Sequence, residues 1–479
     1  MTPEWGKITA AEILSPIRGR LVSGRSDLPI SGINTDSRRV GACELFWALK
    51  GENYDGHDFA RDALKAGASG AVVSGTYLLH PETLLGQEGE KDSAAIIEVD
   101  DTLQSLGDLA HWWRRQYDTP VVGITGSVGK TTAKEMTAHI LEQGGRILKS
   151  KGNFNNLIGL PLTLLQMGPG MTRAIVELGM NHPGEIARLT EISNPDIGLI
   201  TNVAKVHLEG LGTIEDVGKA KWELVENMSP GNRVIINGDD SFLINAARTL
   251  GGNVMTFGMG SSNDVRAEEV RHTTTGGIAF TLLYRGDAWP VRLGVPGSHN
   301  VLNGLAAASV GFAFGLSPDH VVRGLEMFRG MKGRFETVFF PGGIALVDDT
   351  YNANPASLKA ALNVVASMVQ GGRRLIVALG DMKELGAESI PEHRAAGRRV
   401  ARAGASCFVA LGDYAPEMIR GAVEAGLPLK RAFKVCSRNE MVERLAHIVK
   451  EGDLIFIKGS RMMALEEVVQ RLKQDVWVG

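Results

Sequence analysis

A lysine that follows glycine at the end of an apolar run, with two threonines behind it, is a set of residues able to hold phosphate. Gly126-Ser-Val-Gly-Lys-Thr-Thr132 supplies that set, directly after Pro120-Val-Val-Gly-Ile-Thr125. Gly126 and Gly129 permit a sharp backbone turn that points successive N–H groups inward at phosphate oxygens. Lys130 then reaches the terminal phosphates, and the Thr131 hydroxyl is placed to ligate Mg²⁺. The spacing departs from the usual GxxxxGK[ST] pattern, which has glycine where this chain has Ile124. The flanks favour the phosphate reading over a solvated lysine on a glycine-rich turn: the β-branched run ending at Ile124 predicts a buried strand, and Thr132 to Gln143 carries apolar residues at helical spacing.

Further groups with chemical potential follow apolar runs in the same way. Glu177 ends the run Arg173-Ala-Ile-Val176, where a carboxylate is offered to a hard cation that bridges a nucleotide. His207 follows the strand expected from Ile197 to Val203, and Lys221 lies in the helical stretch from Ile214 to Met228. Taken singly, Glu177 reads equally as a cap, His207 as a hydrogen-bonded loop residue and Lys221 as a solvated lysine on a helix face. Lys151-Gly-Asn-Phe-Asn-Asn156, Met180-Asn-His-Pro-Gly184 and Gly297-Ser-His-Asn300, with Asn303 beyond, add amides that suit sugar, phosphate and peptide groups.

The elements that must position these residues form an α/β pattern. At 479 residues the chain exceeds one compact core, and about 150 residues per domain suggests three domains. From Pro120 to about Ser317, expected strands at 174 to 178, 197 to 203 and 233 to 237 alternate with helical stretches, which predicts a mostly parallel sheet. A hairpin is expected from Ile278 to Tyr284 and Trp289 to Leu293, and a buried helix from Gly304 to Leu316. A polar connection spans His80 to Asp92, ahead of the first boundary. After Gly330 a second alternation predicts a Rossmann-like domain whose strands end in Asp348-Asp-Thr-Tyr-Asn-Ala-Asn-Pro355, Gly380-Asp-Met-Lys-Glu384, Gly412-Asp413 and Lys458-Gly-Ser-Arg461. Ligands of such sheets bind beyond the carboxyl ends of the strands.

Bulk properties exclude several classes. A net charge of −3 gives no electrostatic reason to expect nucleic acid, and 44% hydrophobic with 22% charged residues is the balance of an ordinary soluble protein. Cys43, Cys407 and Cys436 are odd in number and far apart, which argues against a disulfide framework or a Cys-rich metal site. The first residues lack a signal peptide's pattern, and the longest apolar stretch is too short to cross a bilayer, so a cytoplasmic protein without membrane insertion is expected.

TGSVGKTT at 125 to 132, KGNFNNLIGLPLTLL at 151 to 165, ELGMNHPGEI at 177 to 186, NVAKVHLEGLGT at 202 to 213 and AKWE at 220 to 223 resemble the Mur ligases of peptidoglycan synthesis. TDSRRV at 35 to 40, DGHDF at 55 to 59, DDTYNANP at 348 to 355, LGDMKELG at 379 to 386 and KGSR at 458 to 461 look like the MurF type within them. The resemblance implies a small α/β N-terminal domain at 1–118 for the UDP-sugar end of the substrate, a central P-loop ATPase at 119–330 and a C-terminal Rossmann-like domain at 331–479. It implies a reaction in which the terminal carboxylate of UDP-N-acetylmuramoyl-tripeptide is phosphorylated by ATP. The acyl phosphate is then attacked by the amine of D-alanyl-D-alanine, and ADP and phosphate are released.

Residue by residue, the resemblance gives ATP contacts to Thr125, Gly126, Ser127, Val128, Gly129, Lys130, Thr131 and Thr132, with Asn300 and Asn303 at adenine and Arg334 and Asp349 on the C-terminal side. It gives Mg²⁺, as two ions, to Thr131, Glu177, His207 and Lys221, the last resembling a lysine that is carbamylated by CO₂. Lys130, Glu177, His207 and Lys221 thereby become the catalytic set. Ser37, Arg38 and His57 are implied for the UDP-sugar end, Asn153 and Asn156 for the muramoyl and peptide part, and a monomer is expected. Val128 departs from relatives that carry a small polar residue there; a modest effect is expected, because backbone amides do most of the cradling. A MurE-type ligase, a folylpolyglutamate-type ligase and a nucleotide-dependent binding protein without ligase activity are the competing readings. The first would carry an Asp-Asn-Pro-Arg element that this chain lacks, and the last is opposed by the presence of Lys130, Glu177, His207 and Lys221 together.

Overall fold

Strands that are apolar on both faces must be covered on both faces, and the central part of the chain meets that demand with helices on two sides of one sheet. The computed structural model describes residues 5, 8–51, 53–77, 94–206, 208–273, 277–369 and 372–476. His207 and the expected connection from His80 to Asp92 lie outside the described residues. Val121–Thr125 is buried along its whole length and runs parallel to Met171–Glu177 on one side and Ile197–Ile200 on the other. Its side chains alternate between two cores, as the pleat requires. Val122 and Ile124 join Met136, Ile140, Leu305 and Val310 on one face, while Val121 joins Ala174, Val176, Ile186 and Leu224 on the other.

This central sheet has nine strands, and it is extended at one edge by antiparallel pairs. The expected hairpin is present as Ile278–Tyr284 and Asp287–Leu293, and a third strand, Val265–His272, pairs with it. The third strand escaped the sequence because its exposed half, with Glu268, Glu269, Arg271 and His272, breaks the apolar alternation. The strand expected to reach Val203 stops at Ile200, because Thr201 and Asn202 turn aside to bind the phosphate loop. The expected buried helix starts earlier and runs Ser298–Ala313.

The N-terminal part is a five-stranded sheet, parallel except for its edge strand Arg20–Ser23. The helix Thr102–Arg114 leads out of it, started by Asp101, whose carboxylate accepts from Leu103 N at 2.7 Å and Gln104 N at 2.9 Å. This helix packs on Gly159–Leu164 and Glu185–Ser193 of the central part. Trp113 and Trp5 stack at 4.9 Å and donate their indole N–H groups to Met167 O and Leu165 O, both at 3.0 Å. One buried apolar cluster therefore runs from Trp5 through Trp113 into Leu224.

The C-terminal part is a six-stranded sheet in the order Glu336–Phe339, Ala345–Asp349, Leu454–Lys458, Leu375–Gly380, Ala405–Leu411, Ala432–Val435, parallel but for the first strand. Among the described residues its two apolar clusters, within 335–472, are separate from those of the rest of the chain. Its helices Ser389–Arg402 and Ala415–Glu424 touch backbone to backbone. A Cβ at Gly397 would lie 1.7 Å from Met418 O, and one at Gly421 would lie 1.9 Å from Arg394 O.

Gly397→Ala brings about 1 kcal/mol of helix propensity. Its methyl nevertheless meets a carbonyl that no rotamer change can move, and such overpacking costs about 1–3 kcal/mol or more. Urea unfolding should show a net loss of about 2 kcal/mol. An unchanged midpoint would mean that the two helices separate freely.

Candidate active site

Gly126 and Gly129 have φ of +142° and +88°, and neither position has room for a side chain. A Cβ would sit 1.9 Å from Thr201 Oγ1 at the first and 2.2 Å from Asn303 Oδ1 at the second. The loop between them is held by Asn202, which the sequence had placed in a motif without a role. Asn202 Oδ1 accepts from Val128 N at 3.0 Å, its Nδ2 donates to Val128 O at 2.9 Å, and its backbone O accepts from Ser127 N at 3.0 Å. Ser127 Oγ donates to Ala204 O at 3.1 Å. The backbone at Val128 is fixed by these bonds, so the departure at this position leaves the loop's shape intact. The following helix begins at Lys130, two residues before the expected start, because left-handed Gly129 serves as its cap.

Three segments meet at one hydroxyl. Thr131 Oγ1 donates to Glu177 Oε2 at 2.9 Å and accepts from Arg334 Nη2 at 2.9 Å. Glu177 is buried at 3% exposure, and its other oxygen accepts from Asn155 Nδ2 at 3.0 Å. Lys130 Nζ donates back to Gly126 O at 2.6 Å. Burial pushes the Lys130 ammonium below the ordinary lysine value; Glu177 and Glu384 oppose that shift and Arg334 adds to it. The oxygen donors of Thr131 and Glu177 suit a hard cation that keeps waters and phosphate oxygens as its remaining ligands. Among the described residues no three His, Cys, Asp or Glu side chains converge, and Glu177 is the carboxylate hydrogen-bonded to the Thr131 hydroxyl.

Lys221 is buried at 1% exposure on the helix Ile214–Glu226, which excludes the solvated reading. Lys134 shows what a structural lysine looks like at equal depth: its Nζ donates to Ser150 O at 2.6 Å and lies 3.1 Å from Glu135. Among the described residues no carboxylate pairs with Lys221. Burial, with the charge of Lys130 next in weight, pushes its ammonium well below the ordinary lysine value.

A cleft of about 430 Å³ lies between the central and C-terminal parts. It is bordered by Lys130, Glu177, Asn153, Asn156, Asn300, Asn303, Arg334 and Asp349, together with Tyr351, Lys458 and Arg461, to which the sequence gave no role. Asn300 donates to Pro296 O at 2.7 Å and accepts from Asn303 Nδ2 at 3.2 Å. Asp349 accepts from Lys458 Nζ at 2.6 Å and from Phe335 N at 3.2 Å. Asn156 also caps a helix, its Oδ1 accepting from Gly159 N at 2.8 Å. Neighbouring His299 has its imidazole pushed down by burial, against the pull of Asp349.

The three N-terminal residues stand apart from this cleft. Arg38 is exposed and paired with Asp36 at 2.8 Å, a hydrogen bond that holds the Asp36 carboxyl down at about 2. Ser37 is partly exposed beside it. His57 is buried, and both of its ring nitrogens are engaged, Nδ1 with Asp55 at 2.5 Å and Nε2 as acceptor from Ser74 N at 3.0 Å. Those two bonds fix the orientation of the His57 ring.

Three family models match the chain: Mur ligase family, catalytic domain, at residues 29–114; Mur ligase middle domain at 124–311; and Mur ligase, glutamate ligase domain, at 333–461. UDP-N-acetylmuramoyl-tripeptide--D-alanyl-D-alanine ligase of Escherichia coli is 36% identical over 98% of this chain and 99% of its own length. The enzyme of that name from Bacillus subtilis is 33% identical over 97% and 98%. A crystal structure of MurF from Acinetobacter baumannii superposes with a TM-score of 0.86 at 31% identity, covering 98% of this chain and 99% of that one. MurF ligase from Thermotoga maritima in complex with ADP gives 0.78 at 26% identity, covering 93% and 97%.

A lysine whose folded pKa is depressed binds fewer protons in the folded state than in the unfolded one, so its burial costs stability below the ordinary value of ~10.4, and that cost fades as pH rises towards it. Lys221→Met, in carbonate-free buffer, should therefore melt at or above the parent at pH 7, with the gap closing towards pH 10. A variant that melts well below the parent at pH 7 would show that Lys221 is held by partners that stabilise its charge.

Proposed function

The chain belongs to the Mur ligase family, and from that premise we propose that it joins D-alanyl-D-alanine to the terminal carboxylate of UDP-N-acetylmuramoyl-tripeptide, with conversion of ATP to ADP and phosphate. The observation that carries this reading is that the likeness to ligases named for that reaction runs through all three parts of the chain. The cleft supports it, because a poor electrophile such as a carboxylate gains a leaving group by phosphorylation, and the protein's task is then to align the reactants and neutralise charge.

In this reading residues 1–118 hold the UDP-sugar end, 119–330 form the ATPase and 331–479 complete the nucleotide site and receive the amine. Lys130 and the loop amides bind phosphate, Asn300 and Asn303 meet adenine, and Arg334 and Asp349 close the site from the C-terminal side. Thr131 and Glu177 hold one Mg²⁺, and Glu177, His207 and carbamylated Lys221 serve a second. When bound, these ions would supply positive charge to neutralise the phosphate groups. The depressed pKa of Lys221 favours carbamate formation, since the neutral amine is the form that reacts with CO₂. Asn153 and Asn156 border the peptide end, and Ser37 and Arg38 stand towards the sugar nucleotide. The enzyme works as a cytoplasmic monomer; no described helix is long and apolar enough to cross a membrane.

Phosphate release from ATP and UDP-N-acetylmuramoyl-tripeptide should rise on addition of D-alanyl-D-alanine and not with single amino acids. No rise, or an equal rise with a diamino acid, overturns the assignment. Lys221→Ala should lower turnover by at least about tenfold to a hundredfold, the range seen when groups supporting a metal site are lost. Bicarbonate with a short carboxylic acid should restore part of it, and parent-like turnover in that variant would remove the carbamate.

A further inference from the structure

Tyr351 carries two guanidinium groups on its ring, Arg334 at 4.0 Å from the centroid and Arg461 at 5.6 Å. The three side chains come from separate segments and all border the cleft between the central and C-terminal parts. Arg461 also borders the smaller adjoining pocket beside Lys130, Lys383 and Glu384. Tyr351 N donates to Gly333 O at 3.0 Å, which ties the ring's own backbone to the turn that presents Arg334.

Few hydrogen bonds fix the Arg334 plane. Its Nη2 donates to Thr131 Oγ1 at 2.9 Å, while its Nε is buried and without a hydrogen-bond partner. The ring is therefore the main restraint on the guanidinium. Stacking through the face leaves the in-plane N–H groups to hydrogen-bond, one of them already to Thr131, and the ring quadrupole offsets part of the repulsion between two neighbouring cations. Thr131 marks the β,γ end of a nucleotide triphosphate in a loop of this kind, and the Arg334 edge that donates to its hydroxyl is turned towards that end.

We propose that Tyr351 is a positioning residue whose ring holds Arg334 against the terminal phosphate of the nucleotide and Arg461 at the mouth of the adjoining pocket. This rests on the ligase reading of the cleft. The ring acts through its face, and its hydroxyl is dispensable.

The test compares Tyr351→Phe and Tyr351→Leu in the full-length protein, by calorimetric titration with ADP and with a non-hydrolysable ATP analogue, alongside ATP kinetics with both other substrates. Tyr351→Phe should match the parent. Tyr351→Leu should lose about tenfold to thirtyfold in affinity for the triphosphate analogue, with ADP affinity within about twofold of the parent, and kcat should fall with it. A general loss of structure would weaken both nucleotides alike, so the triphosphate-to-ADP ratio isolates the positioning role. An unchanged ratio in Tyr351→Leu, or an equal loss in Tyr351→Phe, overturns the inference. Failure of the ligase reading shows up separately, as a parent protein with no acceptor-stimulated phosphate release.

Discussion

The Thr131 hydroxyl has one proton to give, and the direction in which it gives it organises the site. Glu177 accepts that hydrogen bond through its carboxylate, which leaves the hydroxyl oxygen to accept from Arg334. A strand end, the first turn of a helix and a segment from the C-terminal part are thereby joined through a single atom. Asn155 occupies the second oxygen of Glu177 and so ties in the loop after Lys149 as well. Each member is oriented by its neighbour, and the low dielectric of a buried site strengthens such bonds.

The charges around that network are unbalanced. Lys130 and Arg334 border the cleft with the carboxylates of Glu177 and Glu384, Lys221 is buried within reach of the charge of Lys130, and both lysines have their pKa lowered. A phosphate chain arriving there meets preorganised donors and removes a repulsion the protein would otherwise bear. Lys130 is folded back on Gly126 O, and in the proposed reaction it would exchange that neutral carbonyl for an anionic phosphate oxygen.

The parts of this arrangement that depend on local chain properties could be read from the sequence. The strand before the loop, its two glycines, the lysine and the carboxylate at Glu177 follow from apolar runs and from the residue types that end them. What was missed depends on contacts between distant segments. Asn202, Asn155 and Tyr351 sit inside motifs, but only the folded chain shows Asn202 holding Val128, Asn155 holding Glu177 and Tyr351 beneath Arg334. The spacing of Lys221 is that of any helix, and its burial is settled by a second layer of packing that spacing cannot display. The bonds of His57 to Asp55 and Ser74 were equally hidden, because its motif shows a polar residue and not the partners of its two nitrogens.

The indole pair of Trp5 and Trp113 fastens the N-terminal part to the central one through a shared apolar core. The C-terminal part instead leans on the central one through polar bonds such as Arg334 to Thr131 and Glu209 N to Glu384 O at 3.3 Å. The span between the surface that would anchor a sugar nucleotide and the phosphate loop is therefore a fixed length, like the gap of a gauge. A substrate tethered at one end reaches Lys130 with its reactive terminus only if its peptide bridges that gap. On the proposed reading, the shared core of the N-terminal and central parts would let the fold select peptide length before any side chain reads the residue at the end.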